Sequence, residues 1–146
     1  LDPSRGECFT AARGEGAFLN GEPVRVSGTG ELARALLVTG FPYDIWSSDV
    51  DNLDHFVRFQ KCSRAVRRLG SAALDLAWVA CGRFDGFWEE GLHPWDLAAG
   101  LIMIREAGGF VSDLQGGPKM FETQSILAGN ERIHRELLPV LKRPAD

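Results

Sequence analysis

The sequence predicts a layered α/β fold, and three observations support this prediction. Short apolar segments of strand length alternate along the chain with longer segments of helical length. Clusters of turn residues separate these segments, without internal repeats or low-complexity linkers. Apolar residues make up 45% of the 146 residues and charged residues 25%, the balance of a globular domain with a sizeable core.

The N-terminal segment predicts an antiparallel hairpin. Residues 7–12 have the composition of a strand, and Asn20-Gly21 stands between the apolar segments 17–19 and 23–26. Both positions of a two-residue hairpin turn need a positive φ angle, which Asn and Gly tolerate. We therefore expect a tight turn at Asn20 and Gly21.

A boundary within the chain is predicted at Gly28-Thr29-Gly30, where two glycines flank a polar residue. We assign residues 1–28 to a strand and hairpin at the edge of one sheet. Residues 29–146 are assigned to a C-terminal α/β domain.

The second part of the chain alternates strands and helices. The predicted strands are 35–39, 65–69, 84–88, 109–113 and 125–128, and the predicted helices are 52–65, 72–81, a helix with Asp96 in its first turn that ends near 107, and 130–141. Asp51, Ser71 and Asn130 directly precede helices and are predicted to cap them. Gly82 and the pair Gly108-Gly109 are predicted to end the second and third helices.

Charge and cysteine content narrow the class of protein. The net charge of −4 favours neither nucleic acid nor an anionic membrane as the main partner. There is no signal peptide and no apolar run near the ~20 residues that span a bilayer. Cys8, Cys62 and Cys81 are an odd number without a Cys-x-x-Cys spacing, so neither a disulfide framework nor a zinc site is expected. A reducing cytoplasm fits this pattern.

Residues 85–109 are the most informative stretch for chemistry. Two carboxylates, Glu89 and Glu90, lie on a predicted strand, and after a Gly/Pro loop a third, Asp96, lies in the first turn of a helix. Magnesium takes oxygen ligands, among them one or two protein carboxylates together with substrate phosphate. Asp96 is therefore a candidate metal ligand. The alternative is that it only caps the helix, which the helix dipole favours.

This stretch resembles a signature of the inositol monophosphatase family. The matching residues are Trp95-Asp96-Leu97-Ala98-Ala99-Gly100 and Glu106-Ala107-Gly108-Gly109. The resemblance continues upstream through segments 67–75, 39–42 and 16–21, so it covers most of the chain in order. It implies an αβαβα sandwich of the sugar-phosphatase type, of which this chain supplies the C-terminal part, with residues 1–28 at the edge of a sheet whose remainder is missing.

The resemblance also implies an activity: magnesium-dependent, lithium-sensitive hydrolysis of a phosphate monoester, most specifically inositol monophosphate, by a homodimer. Related enzymes that act on fructose-1,6-bisphosphate, NADP, histidinol phosphate or 3′-phosphoadenosine nucleotides are the enzymatic alternative. The non-enzymatic alternative is a regulatory or interaction module, because some bacterial relatives associate with the transcription machinery.

Individual site residues follow from the same resemblance. It makes Asp96 a ligand of the catalytic metal, and Glu89 an acceptor of a hydrogen bond from a hydroxyl of the substrate ring; the alternative for Glu89 is a solvated surface acid. Gly70, Ser71 and Ala72 would line the substrate pocket, although Ser71 could equally be a tightly packed cap. Arg67 is expected to be structural more readily than substrate-binding.

One departure from the family pattern concerns two upstream acidic motifs, Gly-Glu-Glu and Asp-Pro-x-Asp-Gly-Thr, which are absent from this sequence. These motifs carry most of the metal ligands in the family. Asp2-Pro3 matches a later family segment instead. We therefore expect this chain to be the C-terminal part of a longer enzyme. Alone, it is expected to lack significant phosphatase activity and to bind magnesium weakly.

Overall fold

The computed structural model describes residues 1–49 and 51–142. Its eight strands are β1 Phe9–Ala12, β2 Gly16–Leu19, β3 Glu22–Pro23, β4 Leu36–Thr39, β5 Ala65–Arg67, β6 Gly86–Glu90, β7 Phe110–Ser112 and β8 Ser125–Gly129. Its helices are α1 Leu53–Cys62, α2 Ala72–Ala80, α3 Pro94–Glu106, α4 Met120–Thr123 and α5 Glu131–Leu141, and a 3₁₀ turn spans Leu32–Arg34.

Two sheets organise the chain. The first is antiparallel, with the order β1-β2-β3. The second has five strands in the order β5-β4-β6-β8-β7. In this sheet β4 is parallel to both β5 and β6, while β8 is antiparallel to β6 and β7. The parallel strands β4, β5 and β6 therefore end at the same edge, which is where the functional site lies.

The strands of the five-stranded sheet present alternate side chains to two separate helical layers. On β6, Trp88 packs with Phe59 of α1 and Leu137 of α5, whereas Phe87 packs with the residues of α2 and α3. Ala17 of β2 belongs to the same apolar cluster as Phe87 and the residues of α2 and α3. The order of layers is thus α1/α5, the five-stranded sheet, α2/α3 and the three-stranded sheet. This is the α/β sandwich architecture that was predicted.

The predicted hairpin is confirmed. Asn20 and Gly21 both have positive φ angles, 50° and 84°, and they join β2 to β3. The predicted second strand, 23–26, is wrong in extent, because β3 ends at Pro23, although the Val24 N–H still donates to the Ala17 carbonyl oxygen at 2.9 Å. The division of the chain at residue 28 stays a prediction, although the two sheets do separate between Pro23 and Leu36.

Most predicted helices and strands are confirmed within a few residues, but of the predicted caps one is misplaced and one is confirmed in position only. Ser71 occupies the N-cap position of α2 as predicted, yet its side chain makes no capping hydrogen bond. The N-cap of α1 is Asn52 rather than Asp51. The Asp51 carboxylate still accepts a hydrogen bond from the Leu53 N–H. Asn130 is confirmed as the cap of α5, because its side chain accepts from the Ile133 N–H at 2.9 Å.

The described residues include no helix with both the length and the apolar character needed to cross a membrane.

Candidate active site

A cavity of about 820 Å³ opens at the edge of the sheet where the parallel strands end. Gly40 follows β4, and Glu89 and Glu90 end β6, so these strands deliver their last residues to the same place. All five site residues predicted from the sequence line this cavity: Gly70, Ser71, Ala72, Glu89 and Asp96. They come from β6 and from the starts of α2 and α3. The fold therefore brings Gly70 and Asp96, which are 26 positions apart in sequence, into one site.

Glu89 is buried, with 8% of its surface exposed, and it lies on the face of β6 that packs against α2 and α3. The alternative of a solvated surface acid is therefore wrong. Gly40 makes room for this side chain, because a Cβ atom at position 40 would overlap the Glu89 carboxyl group. The absence of a side chain on Gly40 thus shapes the floor of the cavity around Glu89.

Burial, together with the negative charges of Asp75 and Asp96, raises the pKa of Glu89 to about 8. The positive charge of Arg68 acts in the opposite direction. Near neutral pH, Glu89 of this chain is therefore largely protonated and presents one O–H donor beside its acceptor oxygen. The sequence hypothesis treated Glu89 as an ionised acceptor, so the structure adds a donor function that the motif did not indicate.

Asp75 is a further acid near this site, which the sequence analysis did not single out. It lies on α2, none of its surface is exposed, and neither carboxyl oxygen has a hydrogen-bond partner among the described residues. Burial raises the pKa of Asp75 to about 7. The sequence indicated Asp75 in one way only: it is the single charged residue of an otherwise apolar helix.

Asp96 occupies the third position of α3 and is half-buried in the wall of the cavity. Its Oδ2 atom accepts a hydrogen bond from the His93 N–H at 2.9 Å, so Asp96 does cap the helix. A carboxylate has a second oxygen, and Asp96 lines the cavity, so capping and metal ligation are compatible.

The available ligand atoms determine whether the described residues could hold a magnesium ion. Magnesium takes oxygen ligands in octahedral geometry, and Asp96 would supply one of them. The described part of the chain contains no group of three or more His, Cys, Asp or Glu side chains that could hold a metal ion. These residues therefore fit a contribution to a metal site but not a complete one.

The start of α2 offers backbone donors to the cavity. The first intrahelical hydrogen bond runs from the Asp75 N–H to the Ser71 carbonyl, which leaves the N–H groups of the preceding helical residues without a partner in the helix. Because the Ser71 side chain makes no capping bond, it does not occupy these donors. Gly70 has a φ angle of +90°, which explains glycine at this bend before the helix.

Several other side chains lie around the site. Arg67 is not among the residues that line the cavity, and its Nη1 donates to the Val66 carbonyl at 3.1 Å. Its neighbour Arg68 lines the cavity and stacks over Phe41 at 4.9 Å. Glu90 also lines the cavity. Trp95 is 75% exposed and stacks on His93.

An α/β sandwich with a carboxylate-lined cavity at the ends of its parallel strands is the architecture of a sugar-phosphatase type of protein. The sequence pattern of the inositol monophosphatase family matches residues 1–143, and this chain belongs to that family.

Two curated relatives show the extent of the similarity. An inositol-1-monophosphatase from Mesorhizobium japonicum is 48% identical over 98% of this chain and 54% of its own length. A protein named Nus factor SuhB from Pseudomonas aeruginosa is 47% identical over 97% of this chain and 53% of its own length. The chain therefore spans about half the length of the curated relatives it matches, and it corresponds to their C-terminal part.

A solved structure matches at the level of the backbone. The inositol monophosphatase from Anabaena (Nostoc) sp. superposes with a TM-score of 0.96 at 46% identity, covering 99% of this chain and 58% of that one.

Proposed function

We propose that the intact protein hydrolyses a phosphate monoester with the help of Mg²⁺, and that inositol monophosphate is its favoured substrate. The observation that carries this proposal is the convergence of Glu89, the start of α2 and Asp96 on one cavity. Membership of the inositol monophosphatase family and the names of several relatives support it. On the family resemblance alone, we also propose a cytoplasmic homodimer that is inhibited by lithium.

Each group of residues has a separate task in this proposal. Asp96 would hold one coordination position of the metal, and further ligands would come from outside the described residues. A bound magnesium ion lowers the pKa of a water molecule and neutralises charge on the transferred phosphoryl group. Glu89 would orient the substrate through its ring hydroxyls. The free N–H groups at the start of α2 would donate hydrogen bonds to either a phosphoryl oxygen or a hydroxyl oxygen of the substrate.

The test separates metal binding from substrate recognition in the intact protein. Asp96→Asn keeps the shape of the side chain but removes a ligand charge, so kcat is expected to fall by orders of magnitude for every substrate while the fold is retained. Glu89→Ala removes both carboxyl oxygens. It should lower kcat/KM for inositol 1-phosphate by about 10- to 100-fold, the equivalent of losing a hydrogen bond of ~1–3 kcal/mol. For p-nitrophenyl phosphate, which lacks the ring hydroxyls, the loss should be small.

Three outcomes would contradict parts of this proposal. Full magnesium-dependent activity in Asp96→Asn would leave Asp96 with its capping function only. An equal loss for both substrates in Glu89→Ala would place Glu89 in the metal site or the fold instead of in substrate recognition. Turnover by the 146-residue chain alone, at a rate like that of the intact protein, would show that no ligands from outside are needed.

A regulatory or interaction function is the second candidate, and the name Nus factor SuhB of the Pseudomonas aeruginosa relative favours it. Enzymatic turnover that depends on Asp96 would establish catalysis whether or not the protein also binds a macromolecular partner. An intact protein without turnover of any phosphate monoester would favour the interaction function.

A further inference from the structure

A second cavity, of about 610 Å³, lies at the opposite end of the parallel strands from the candidate active site. Its lining includes Leu36, the first residue of β4, and Asp85, which directly precedes β6. Gly40 and Glu89 line the candidate active site at the other end of the same strands. Four residues of extended chain separate Leu36 from Gly40, a distance of ~13 Å. The two cavities are therefore distinct.

Three arginines from three separate segments line this second cavity. Arg34 ends the 3₁₀ turn, Arg64 precedes β5, and Arg83 lies between α2 and β6. Arg83 is held in place by Glu7, which accepts from Nη1 and Nη2 at 2.7 and 2.6 Å. Within residues 1–49 and 51–142, Arg34 and Arg64 form neither an ion pair nor a side-chain hydrogen bond. Among the described residues, these two guanidinium groups thus have no anionic partner.

The polar wall of the cavity is held by a buried side chain. Asn130, which is 8% exposed, donates through Nδ2 to the carbonyl oxygens of Ser27 and Thr29 at 2.9 and 2.7 Å. It also donates to the Ser27 hydroxyl oxygen at 3.4 Å, which leaves the hydroxyl proton of Ser27 available to a ligand. The Ser27 hydroxyl and the backbone of Thr29 are therefore held in place, and both residues line the cavity.

Asp85 is the single acid among the described residues that line this cavity. It is buried, and its Oδ2 atom accepts from the Leu36 N–H at 2.6 Å. A fixed carboxylate of this kind repels an anionic group placed against it but accepts hydrogen bonds from hydroxyl groups. The cavity thus has an arginine-rich region for an anion and an acidic position for hydroxyl groups.

We propose that this cavity binds a phosphorylated small molecule that also carries hydroxyl groups, of the sugar-phosphate class. Arg34, Arg64 and the hydroxyls of Ser27 and Thr29 would contact the phosphate, since guanidinium groups and hydroxyls match its several acceptor oxygens. Asp85 would accept from a sugar hydroxyl. The volume is in the range of small-molecule sites and exceeds what a phosphate ion alone fills. The site does not depend on the proposed catalytic function, because it shares no residue with the candidate active site.

Nuclear magnetic resonance resolves the two cavities in one experiment. The ¹⁵N-labelled protein is titrated with ribose 5-phosphate, inorganic phosphate or ribose, in EDTA so that no metal-dependent turnover occurs. The backbone amides of Ser27, Thr29 and Gly82 report on this cavity, and those of Gly40, Gly70 and Gly91 report on the candidate active site. We expect saturable shifts of the first group with ribose 5-phosphate, weaker binding of inorganic phosphate, and no shifts with ribose.

The double variant Arg34→Gln/Arg64→Gln should weaken the binding reported by the first group of amides by about tenfold or more, because charge-assisted hydrogen bonds are lost. Arg105→Gln, which removes an exposed arginine in the last turn of α3, is the matched control and should leave the Kd unchanged. The amide spectrum itself reports folding, and Arg64→Gln alone repeats the test with a smaller change.

Three outcomes would overturn the proposal. The first is a set of shifts confined to the amides of the candidate active site. The second is an unchanged Kd in the variants that lack Arg34 and Arg64. The third is equal binding of inorganic phosphate and ribose 5-phosphate, which would show a simple anion site without recognition of the sugar.

Discussion

Replacing Asp75 by asparagine is expected to flatten the dependence of stability on pH. The folded protein buries this carboxyl group completely and gives neither oxygen a hydrogen-bond partner among the described residues. Ionising this carboxyl group in the folded protein therefore costs free energy. In the unfolded chain the group is solvated, so its ionisation carries no such cost. An asparagine at this position has nearly the same shape and cannot ionise.

The size of the effect follows from the pKa of Asp75, which burial raises from 3.8 to about 7. A group whose pKa is higher in the folded state contributes its stability fully below the unfolded pKa and loses it as pH rises through the folded pKa. Between pH 5 and the folded pKa of about 7 there are about two pH units, so the free energy of unfolding should fall by about 2–3 kcal/mol from pH 5 to pH 8, at roughly 1.4 kcal/mol per unit. The charge of ionised Asp75 also raises the pKa of Glu89, which adds to the loss in the same direction.

Urea unfolding at pH 5 and pH 8, followed by circular dichroism, measures this difference directly. The free energy of unfolding of the wild type should fall more between these pH values than that of Asp75→Asn, by about 2–3 kcal/mol. Asp49→Asn, at an exposed acid, is the control and should retain the pH dependence of the wild type. Parallel pH profiles for Asp75→Asn and the wild type would refute the reasoning, because Asp75 would then ionise without cost in the folded state.

Two packing predictions concern positions next to the site. The side chain of Asn52 accepts from the Trp88 indole N–H at 2.7 Å and donates to the Gly40 carbonyl at 2.6 Å, so Asn52→Gly should cost ~1–3 kcal/mol in denaturant unfolding by leaving buried groups unpaired. Asn52→Ala should cost ~1 kcal/mol more than Asn52→Gly, since position 52 has a φ angle of 61°. Equal stability of the two variants would exclude backbone strain. Gly100→Ala places a Cβ atom 2.5 Å from Leu76 and should cost ~1–3 kcal/mol, whereas the control Gly28→Ala places its Cβ atom in open space. An unchanged stability of Gly100→Ala would mean that α2 and α3 can separate freely.

The prediction of the elements from sequence succeeded because local patterns determine them. Apolar segments of strand length became buried strands, as in β8, where every residue is buried. Asn20-Gly21 formed the expected turn because the positive φ angles are a property of those two residues and need no distant partner. The family motifs placed the strands and helices in order, and the fold of the solved relatives agrees with it.

Helix caps were predicted less well because a side chain that fits a cap can be claimed by a distant group. Asn52 precedes α1 and has the right chemistry for a cap, but its side chain binds Trp88, which lies 36 residues further along the chain. Asp51 takes over part of the local task by accepting from the Leu53 N–H. The sequence shows that Asn52 could either cap α1 or bind a distant side chain. Which of the two occurs depends on the tertiary contact between α1 and β6.

The candidate site illustrates the same limit for chemistry. The family resemblance indicated that Glu89 and Asp96 would serve one site, and both line the same cavity. The charge state of Glu89 depends instead on what lies behind it, and the α2 residue that faces it there is Asp75, which belongs to none of the motif positions with an assigned function. Because two buried acids cannot both ionise cheaply in one apolar layer, the protonation of Glu89 is a property of the packed α2–β6 interface. A substitution at Asp75 is therefore expected to alter the hydrogen-bonding capacity of Glu89, although Glu89 itself is unchanged. Assigning a function to each motif residue separately would miss this dependence.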